Sequence, residues 1–102
     1  MLLTTLLSTV TPAGIKGGRI KTFAVYLMND EIHHVDYMAR MLKDLCALTP
    51  QVASSAITLI QKSGEAMVFE AKTEDEAWEV HTKLRQGGLT SEIRTRLHGE
   101  EA

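Results

Sequence analysis

The chain has 102 residues, enough for one small domain and short for an enzyme with a deep active site. Hydrophobic residues make up 44% and charged residues 24% of it, the balance of an ordinary soluble globular protein. Eleven Lys and Arg against thirteen Asp and Glu leave a net charge of −2, and only 5% of the residues are aromatic. A nucleic-acid binder usually has a basic excess and aromatic stacking surfaces, so we expect no nucleic-acid partner. The single Cys46 excludes an internal disulfide framework and fits a reducing compartment, the cytoplasm or its organellar equivalent.

The first nineteen residues differ from the rest, since they hold no acidic residue and are rich in Thr, Ser, Gly and Leu. Their first positive charge is Lys16, whereas a signal peptide begins with positive charge. Their apolar run is also shorter than the ~20 residues of a membrane span, so we expect no membrane partner. The sequence therefore predicts a flexible arm over residues 1–19, a small globular domain over 20–98, and a frayed tail over 99–102.

The run Thr22–Met28 is dense in β-branched and aromatic residues and predicts a buried strand. Asn29, Asp30 and Glu31 follow at once and favour a turn, because their side chains can bond their own backbone.

Two helices are predicted next, over residues 34–48 and 50–62. The first has apolar residues at spacings of three and four, which form one stripe. Thr49 and Pro50 suit the cap and first position of the second helix, and Gly64 suits its end.

The second half predicts a strand over Ala66–Ala71 and a helix that begins at a capping box, Thr73 to Glu76, and ends at Gln86. Residues 89–97 then alternate apolar or small with charged side chains, as a half-exposed strand does. The order β-α-α-β-α-β predicts an α+β domain, a three-stranded antiparallel sheet packed against three helices on one face.

No pattern predicts catalysis, a metal site or a cofactor. The adjacent His33 and His34, and the separate His81 and His98, lack metal-ligand spacing. Cys46 lies on an apolar helix stripe and is expected in the core. Neither a nucleophile with a partnered base nor a Gly-rich phosphate loop after a strand is visible, so we expect a protein that is not an enzyme.

The one informative constellation is Asn29-Asp30-Glu31 at the end of an apolar strand and beside a helix that begins near Val35. It places an amide and carboxylates at the rim of an apolar patch, which suits an N-terminal amino group with its first side chain. The alternative is a capping turn, in which Asn29 and Asp30 only satisfy backbone donors.

From Phe23 to Leu97 the chain resembles the ClpS family, the adaptors that deliver N-degron substrates to the AAA+ unfoldases of the Clp protease. The resemblance begins at the run YLMNDE, where the family has an apolar strand followed by Asn-Asp-Asp. It continues without a gap through VDYMARMLKDLCALTPQVASSAITLIQKSGEA, and MVFEAKTEDEA fits the family's strand, Thr cap and acidic helix start. The family fold is the element order already predicted from the residues.

The resemblance implies a pocket for the N-terminal residue of another protein. The family's Asn and first Asp bind the ligand's α-amino group, and these positions are Asn29 and Asp30. The family's pocket His is Gln61 here, whose carbonyl can accept a hydrogen bond from an ammonium but cannot titrate. Glu31 and His33 are expected at the pocket rim. The apolar wall is expected to consist of Ile32, Val35, Met38, Ile57 and Ile60.

Two departures from the family pattern bear on specificity. Val35 stands where the family commonly has a Met that gates the pocket, so we expect a changed choice of ligand residue. On the surface that faces the unfoldase in the family, Glu74 matches an acidic position, whereas Glu79 stands where a basic residue is frequent. A reversed charge at an interface can change the partner, which the resemblance implies is a ClpA- or ClpC-type unfoldase.

Two functions follow from these observations. The first is a monomeric adaptor of the N-end rule, which holds proteins by an apolar N-terminal residue and delivers them to an AAA+ protease. The second is a divergent ClpS-like paralogue that acts as a protein interaction module without N-degron recognition.

Overall fold

The computed structural model describes residues 19–30 and 34–99. Within these residues, three strands and three helices follow one another in the order β1, α1, α2, β2, α3, β3. They are β1 (Arg19–Met28), α1 (Val35–Cys46), α2 (Pro50–Ser63), β2 (Glu65–Ala71), α3 (Glu74–Gln86) and β3 (Ser91–Gly99). The strands form one antiparallel sheet in the order β2-β1-β3. The predicted α+β class and element order are confirmed.

The helix ends follow from the residues that cap them. His34 caps α1 by accepting a hydrogen bond from the backbone N–H of Asp36 at 3.3 Å. Thr49 caps α2 through the N–H of Val52, and Pro50 occupies the first turn. Gly64 ends α2 with φ of 92°, a left-handed conformation that glycine adopts without steric cost.

The third helix begins at the predicted cap, with one difference in its hydrogen bonds. The Thr73 hydroxyl oxygen accepts a hydrogen bond from the backbone N–H of Glu76 at 3.3 Å. The Glu76 carboxylate, however, accepts a bond from the same Thr73 hydroxyl at 3.1 Å, a contact between two side chains in place of the backbone contact expected of a capping box.

The core lies between the sheet and the helices. Val25 and Leu27 of β1 have no exposed surface and pack with Leu42 of α1, Ile60 of α2 and Leu84 of α3. Each helix supplies its stripe of buried residues at spacings of three and four, as the apolar pattern predicts. The expected burial of Cys46 is also confirmed, at 6% exposure.

All three strands differ from their predicted bounds, and β2 begins at Glu65, one residue before the predicted Ala66. β1 begins at Arg19, three residues early, because Arg19 pairs with Gly99 and Ile20 pairs with His98. Leu89 does not lie in β3, since its N–H bonds to the carbonyl of Leu84 and closes the end of α3. The predicted arm over residues 1–19 and the predicted tail over 99–102 each lose one residue to the sheet, because Arg19 and Gly99 pair with each other in β1 and β3. Residues 1–18 and 100–102 lie outside the described residues.

β2 contains a bulge that its short sequence did not indicate. Val25 pairs with Phe69 and Tyr26 pairs with Met67, so Val68 is an extra residue on β2. A bulge places two successive side chains on one face, and Val68 and Phe69 both contact the core. Met67 and Glu70 consequently share the opposite face, although they are three residues apart. Among the described residues, no helix has the length and hydropathy needed to cross a membrane.

Candidate functional site

The turn after β1 is held in place by two backbone contacts from distant segments. The N–H of Met28 donates to the carbonyl of Thr90 at 2.9 Å, and the N–H of Asn29 donates to the carbonyl of Gly64 at 2.8 Å. Gly64 is the residue that ends α2, so the Asn29–Asp30 turn lies against the C-terminal end of that helix. The sheet and α2 together therefore fix the turn that the sequence singled out.

Within that turn, the side-chain oxygen of Asn29 accepts a hydrogen bond from the backbone N–H of Asp30 at 3.0 Å. This is the capping role that the sequence left as an alternative. A carbonyl oxygen has two lone pairs, so Asn29 keeps an acceptor site, and its side chain is exposed. The half-buried Asp30 supplies carboxylate acceptors beside it. Capping and ligand binding are therefore compatible at this turn.

The residues predicted around the turn occupy different environments. Gln61 is exposed in the last turn of α2, three residues before the Gly64 that contacts Asn29. Val35 begins α1 and is 40% exposed. Glu31, Ile32 and His33 lie outside the described residues.

The other predicted wall residues belong to the buried core. Met38 and Ile57 are each 4% exposed and Ile60 is fully buried. The structure thus brings these three side chains together in one apolar cluster, with Val35 on α1 at the surface.

A second surface lies on the outer side of α3, where the unfoldase contacts are predicted. Glu74 and Glu79 are both exposed, and Glu79 accepts a hydrogen bond from Lys83 at 3.3 Å, an i,i+4 ion pair. Between the two acids lies Trp78, which is 49% exposed. Its ring meets that of His81 edge to face, with 5.0 Å between the centroids. No motif in the sequence singles out Trp78 as a functional residue.

On the helix side of the sheet, burial shifts the pKa values of two side chains that could take part in chemistry, His81 and Cys46. Ser91 is 1% exposed, and its hydroxyl lies 2.8 Å from Nδ1 of His81. Burial lowers the pKa of His81, and the neighbouring Arg85 lowers it further. Burial also raises the pKa of the Cys46 thiol to about 12, so this thiol stays protonated and is a poor nucleophile. No cluster that could bind a metal occurs in residues 19–30 and 34–99.

The open face of the sheet carries charged groups that the sequence did not connect. Arg94 of β3 reaches across the central strand to Glu65 of β2, with two N–H···O contacts of 2.7 Å, and lies 4.2 Å above the Tyr26 ring. These hydrogen bonds from Arg94 hold the pKa of Glu65 below its usual value, against a smaller opposing effect of burial. The alternating charges of β3 were the only sequence signal for this contact.

A second set of contacts surrounds Glu70 on the same face. The hydroxyl of Thr22, itself only 4% exposed, donates to the Glu70 carboxylate at 2.5 Å. Nε2 of His98 lies 2.9 Å from that carboxylate and 3.0 Å from the hydroxyl. Because Thr22 gives its single hydrogen to Glu70, Nε2 of His98 is a donor. Burial opposes ionisation of Glu70, but the bonds from Thr22 and His98, with the charge of Arg96, lower its pKa overall.

The chain matches a solved structure described as Agrobacterium tumefaciens ClpS2 bound to L-phenylalaninamide, with a TM-score of 0.58 and 18% identity. The match covers 78% of this chain and 99% of that one, and at this identity it shows the fold. Curated sequences give no match. The model of the family described as ATP-dependent Clp protease adaptor protein ClpS matches residues 19–92, so this chain belongs to the ClpS family.

Proposed function

We propose that this protein is a non-enzymatic adaptor that binds the N-terminal residue of substrate proteins and delivers them to an AAA+ Clp unfoldase. The observation that carries the proposal is the 2.8 Å hydrogen bond from the N–H of Asn29 to the carbonyl of Gly64. It joins the Asn29–Asp30 turn to the end of α2, the helix that carries Gln61 and the apolar Ile57 and Ile60. Membership of the ClpS family supports the adaptor role.

The chemistry of the turn suits an α-amino group. An ammonium has three N–H donors and a positive charge, and it is best held by a carboxylate with further oxygen acceptors. Asp30 offers the carboxylate, while Asn29 and Gln61 offer amide oxygens. L-Phenylalaninamide, bound by the related ClpS2, carries a free amino group and an apolar side chain, the same pair of features as a protein N-terminus.

The apolar part of the ligand would contact the first turn of α1 and the cluster beneath it. Val35 is the exposed member, and its β-branched side chain is stiff about χ1. A stiff, short side chain adapts less to bulky ligands than a Met does. We therefore propose an altered preference among Phe, Leu, Val and Ile, with Ile32, Met38, Ile57 and Ile60 completing the wall.

Delivery to the unfoldase would use the outer side of α3. Glu74 and Glu79 are exposed there, and the ion pair of Glu79 with Lys83 leaves the surface acidic overall. An exposed pair of this kind contributes little to stability, so both side chains are available to a partner. We place this partner, a ClpA- or ClpC-type unfoldase, in the cytoplasm or an organellar equivalent.

The binding step is tested by fluorescence anisotropy with peptides that differ only in residue 1: Phe, Leu, Val, Ile, Arg and an N-acetylated control. We expect binding that requires the free amino group and that weakens at least about tenfold in Asp30→Ala, as for a lost charged hydrogen-bond partner. Asp44→Ala, which removes an exposed carboxylate from α1, is the matched control and should bind like wild type.

Equal binding of free and acetylated peptides would contradict N-degron recognition and favour the interaction module without it. A second measurement separates delivery from binding. Glu79→Lys should change affinity for the unfoldase and leave peptide affinity unaltered, because Glu79 lies on α3, apart from the turn and α2. A parallel loss of both affinities would indicate misfolding, which circular dichroism identifies.

A further inference from the structure

The outer side of α3 presents an uncovered groove centred on Trp78. The groove has a volume of about 420 Å³ and is lined by Asp75, Trp78, Glu79, Thr82, Lys83 and Gln86. Trp78 is the largest of the exposed apolar side chains in the described part of the chain, and half of its surface is free. One side of its ring meets the ring of His81 edge to face. An exposed Trp in a groove is the kind of residue that often dominates binding interfaces.

The charge around this groove restricts what can occupy it. Asp75 and Glu79 line the groove, and Glu74 and Glu76 stand in the same first turns of α3. The charges of Lys83 and Glu79 pair at 3.3 Å and offset each other, so the other acidic side chains leave this surface negatively charged. An acidic occupant would be repelled, whereas an apolar segment without acidic residues could contact the Trp78 ring.

We propose that the occupant is residues 2–10 of this same chain, LLTTLLSTV. Its apolar residues recur at the spacing of one helix face. These residues are Leu2, Leu3, Leu6, Leu7 and Val10. Residues 1–18 contain no Asp or Glu, which complements the acidic groove. As a helix, nine residues span about 13 Å, close to the roughly 16 Å from Asp75 to Gln86 along α3.

The connection to β1 is long enough to permit this contact. β1 begins at Arg19, and the eight residues 11–18 can extend over about 26 Å. Phe23, four residues into β1, pairs with Ala71, and α3 starts three residues after Ala71. The groove is therefore within reach. Tethering also raises the effective concentration of the segment to roughly millimolar, so a modest apolar contact suffices for occupancy.

This interaction does not depend on recognition of N-terminal residues, since it involves neither the Asn29–Asp30 turn nor Gln61. If α3 also receives the unfoldase, which rests on the proposed function, the segment and the unfoldase would compete for Glu79. Peptide affinity would stay the same whether or not the segment is docked.

The proposal is tested through Trp78, the only tryptophan in the chain, by acrylamide quenching of the full-length protein. We expect the double variant Leu6→Asp/Leu7→Asp to raise the quenching constant of Trp78 about twofold, because apolar cover keeps water and quencher from the ring. The emission maximum should shift to longer wavelength. Thr5→Asp/Ser8→Asp places the same two charges on the other side of a helix and should leave both readings at the wild-type values.

Equal quenching in wild type and Leu6→Asp/Leu7→Asp would overturn the proposal, and so would equal effects of the two double variants. Protection of Trp78 that grows with protein concentration would assign the groove to a second copy of the chain and would also overturn it. Far-ultraviolet circular dichroism and the urea midpoint show whether each variant is folded. Concentration-independent protection lost only in Leu6→Asp/Leu7→Asp would support the intramolecular contact.

Discussion

The two faces of the central strand β1 are both buried, but by different means. On the helix side, Val25 and Leu27 have no exposed surface because helices cover them. On the open side, Ala24 has no exposed surface and Thr22 only 4%, although none of the helices α1 to α3 lies on that side. Charged side chains of the edge strands, such as Arg94 and Glu65, extend across β1 and cover it.

The difference shows that the two faces of one sheet can be shielded from water by different interactions, apolar packing on one face and charged side chains on the other. Apolar packing depends on volume and is insensitive to pH, since no group in it titrates near neutrality. Ion pairs and hydrogen bonds depend on protonation and contribute less for each residue. Variants on the two faces should therefore differ in both the size and the pH dependence of their effects.

The largest effect is expected on the helix side. Leu42→Ala removes a fully buried side chain from the core and should lower the free energy of unfolding by about 2–5 kcal/mol, through lost burial and the cavity left behind. Leu59→Ala is the matched control, because Leu59 is 48% exposed on α2, and should change stability by about 0.5 kcal/mol or less. Urea unfolding measures both, and similar losses would contradict the placement of the core.

A smaller effect is expected on the open face. Thr22→Val keeps the shape of the side chain and removes the hydroxyl that bonds to Glu70 and His98. The free energy of unfolding should fall by about 1–2 kcal/mol, the typical effect of leaving partly buried polar groups without their hydrogen bond. Thr95→Val, an exposed position on the helix side of β3, should cost less than about 0.5 kcal/mol. Equal effects would mean that the Glu70 contacts contribute nothing to stability.

The open face should also make stability depend on pH. The pKa values of Glu65 and Glu70 are lowered in the folded protein, so the unfolded chain binds more protons in mildly acidic solution. Their contribution is complete above the unfolded pKa of about 4.3 and is lost as pH falls through the folded values. Urea midpoints should decline in this range, less steeply in Glu65→Gln. Leu42→Ala should keep the wild-type slope, and an unchanged slope in Glu65→Gln would contradict the role of Arg94.

The smallest effect is a local titration at the edge of the helix side. His81 lies against Trp78, and its pKa is lowered from the usual 6.5 by burial and by Arg85. Protonation places a cation beside the indole and should quench Trp78 fluorescence, with a midpoint below that of a free histidine. His81→Asn should abolish the transition. The control variant His98→Gln, on the open face, should keep the transition. Loss of the transition in this variant would mean that His81 is not the group that titrates.

The sequence indicated the candidate site only through local signals. Asn and Asp after a dense apolar strand predicted a turn at the rim of an apolar patch, and in the structure the N–H of Asn29 bonds to the carbonyl of Gly64. The pattern left open whether Asn29 caps a backbone N–H, and the structure shows that its side-chain oxygen accepts a hydrogen bond from the N–H of Asp30. The pattern could not show that Met38, Ile57 and Ile60 are almost completely buried, because periodicity identifies an apolar face and not the depth at which it lies.

Local chemistry in the sequence determined the elements of this protein and their order. The caps Thr49, Thr73 and Gly64, the stripes of the helices and the turn after β1 all depend on neighbours within a few residues. For this reason the α+β class could be predicted from the sequence.

The contacts between strands were decided only by the tertiary structure. The bulge at Val68 turns Glu70 toward the open face, where it contacts Thr22 and His98. These two residues are 48 and 28 positions away from Glu70 in the sequence. A bulge arises from how two strands pair, which no local pattern records. The exposure of Trp78 was likewise decided by the tertiary structure. The apolar stripe of α3 predicts which side of the helix is buried, but it does not predict how far the neighbouring elements cover the residues at the edge of that side.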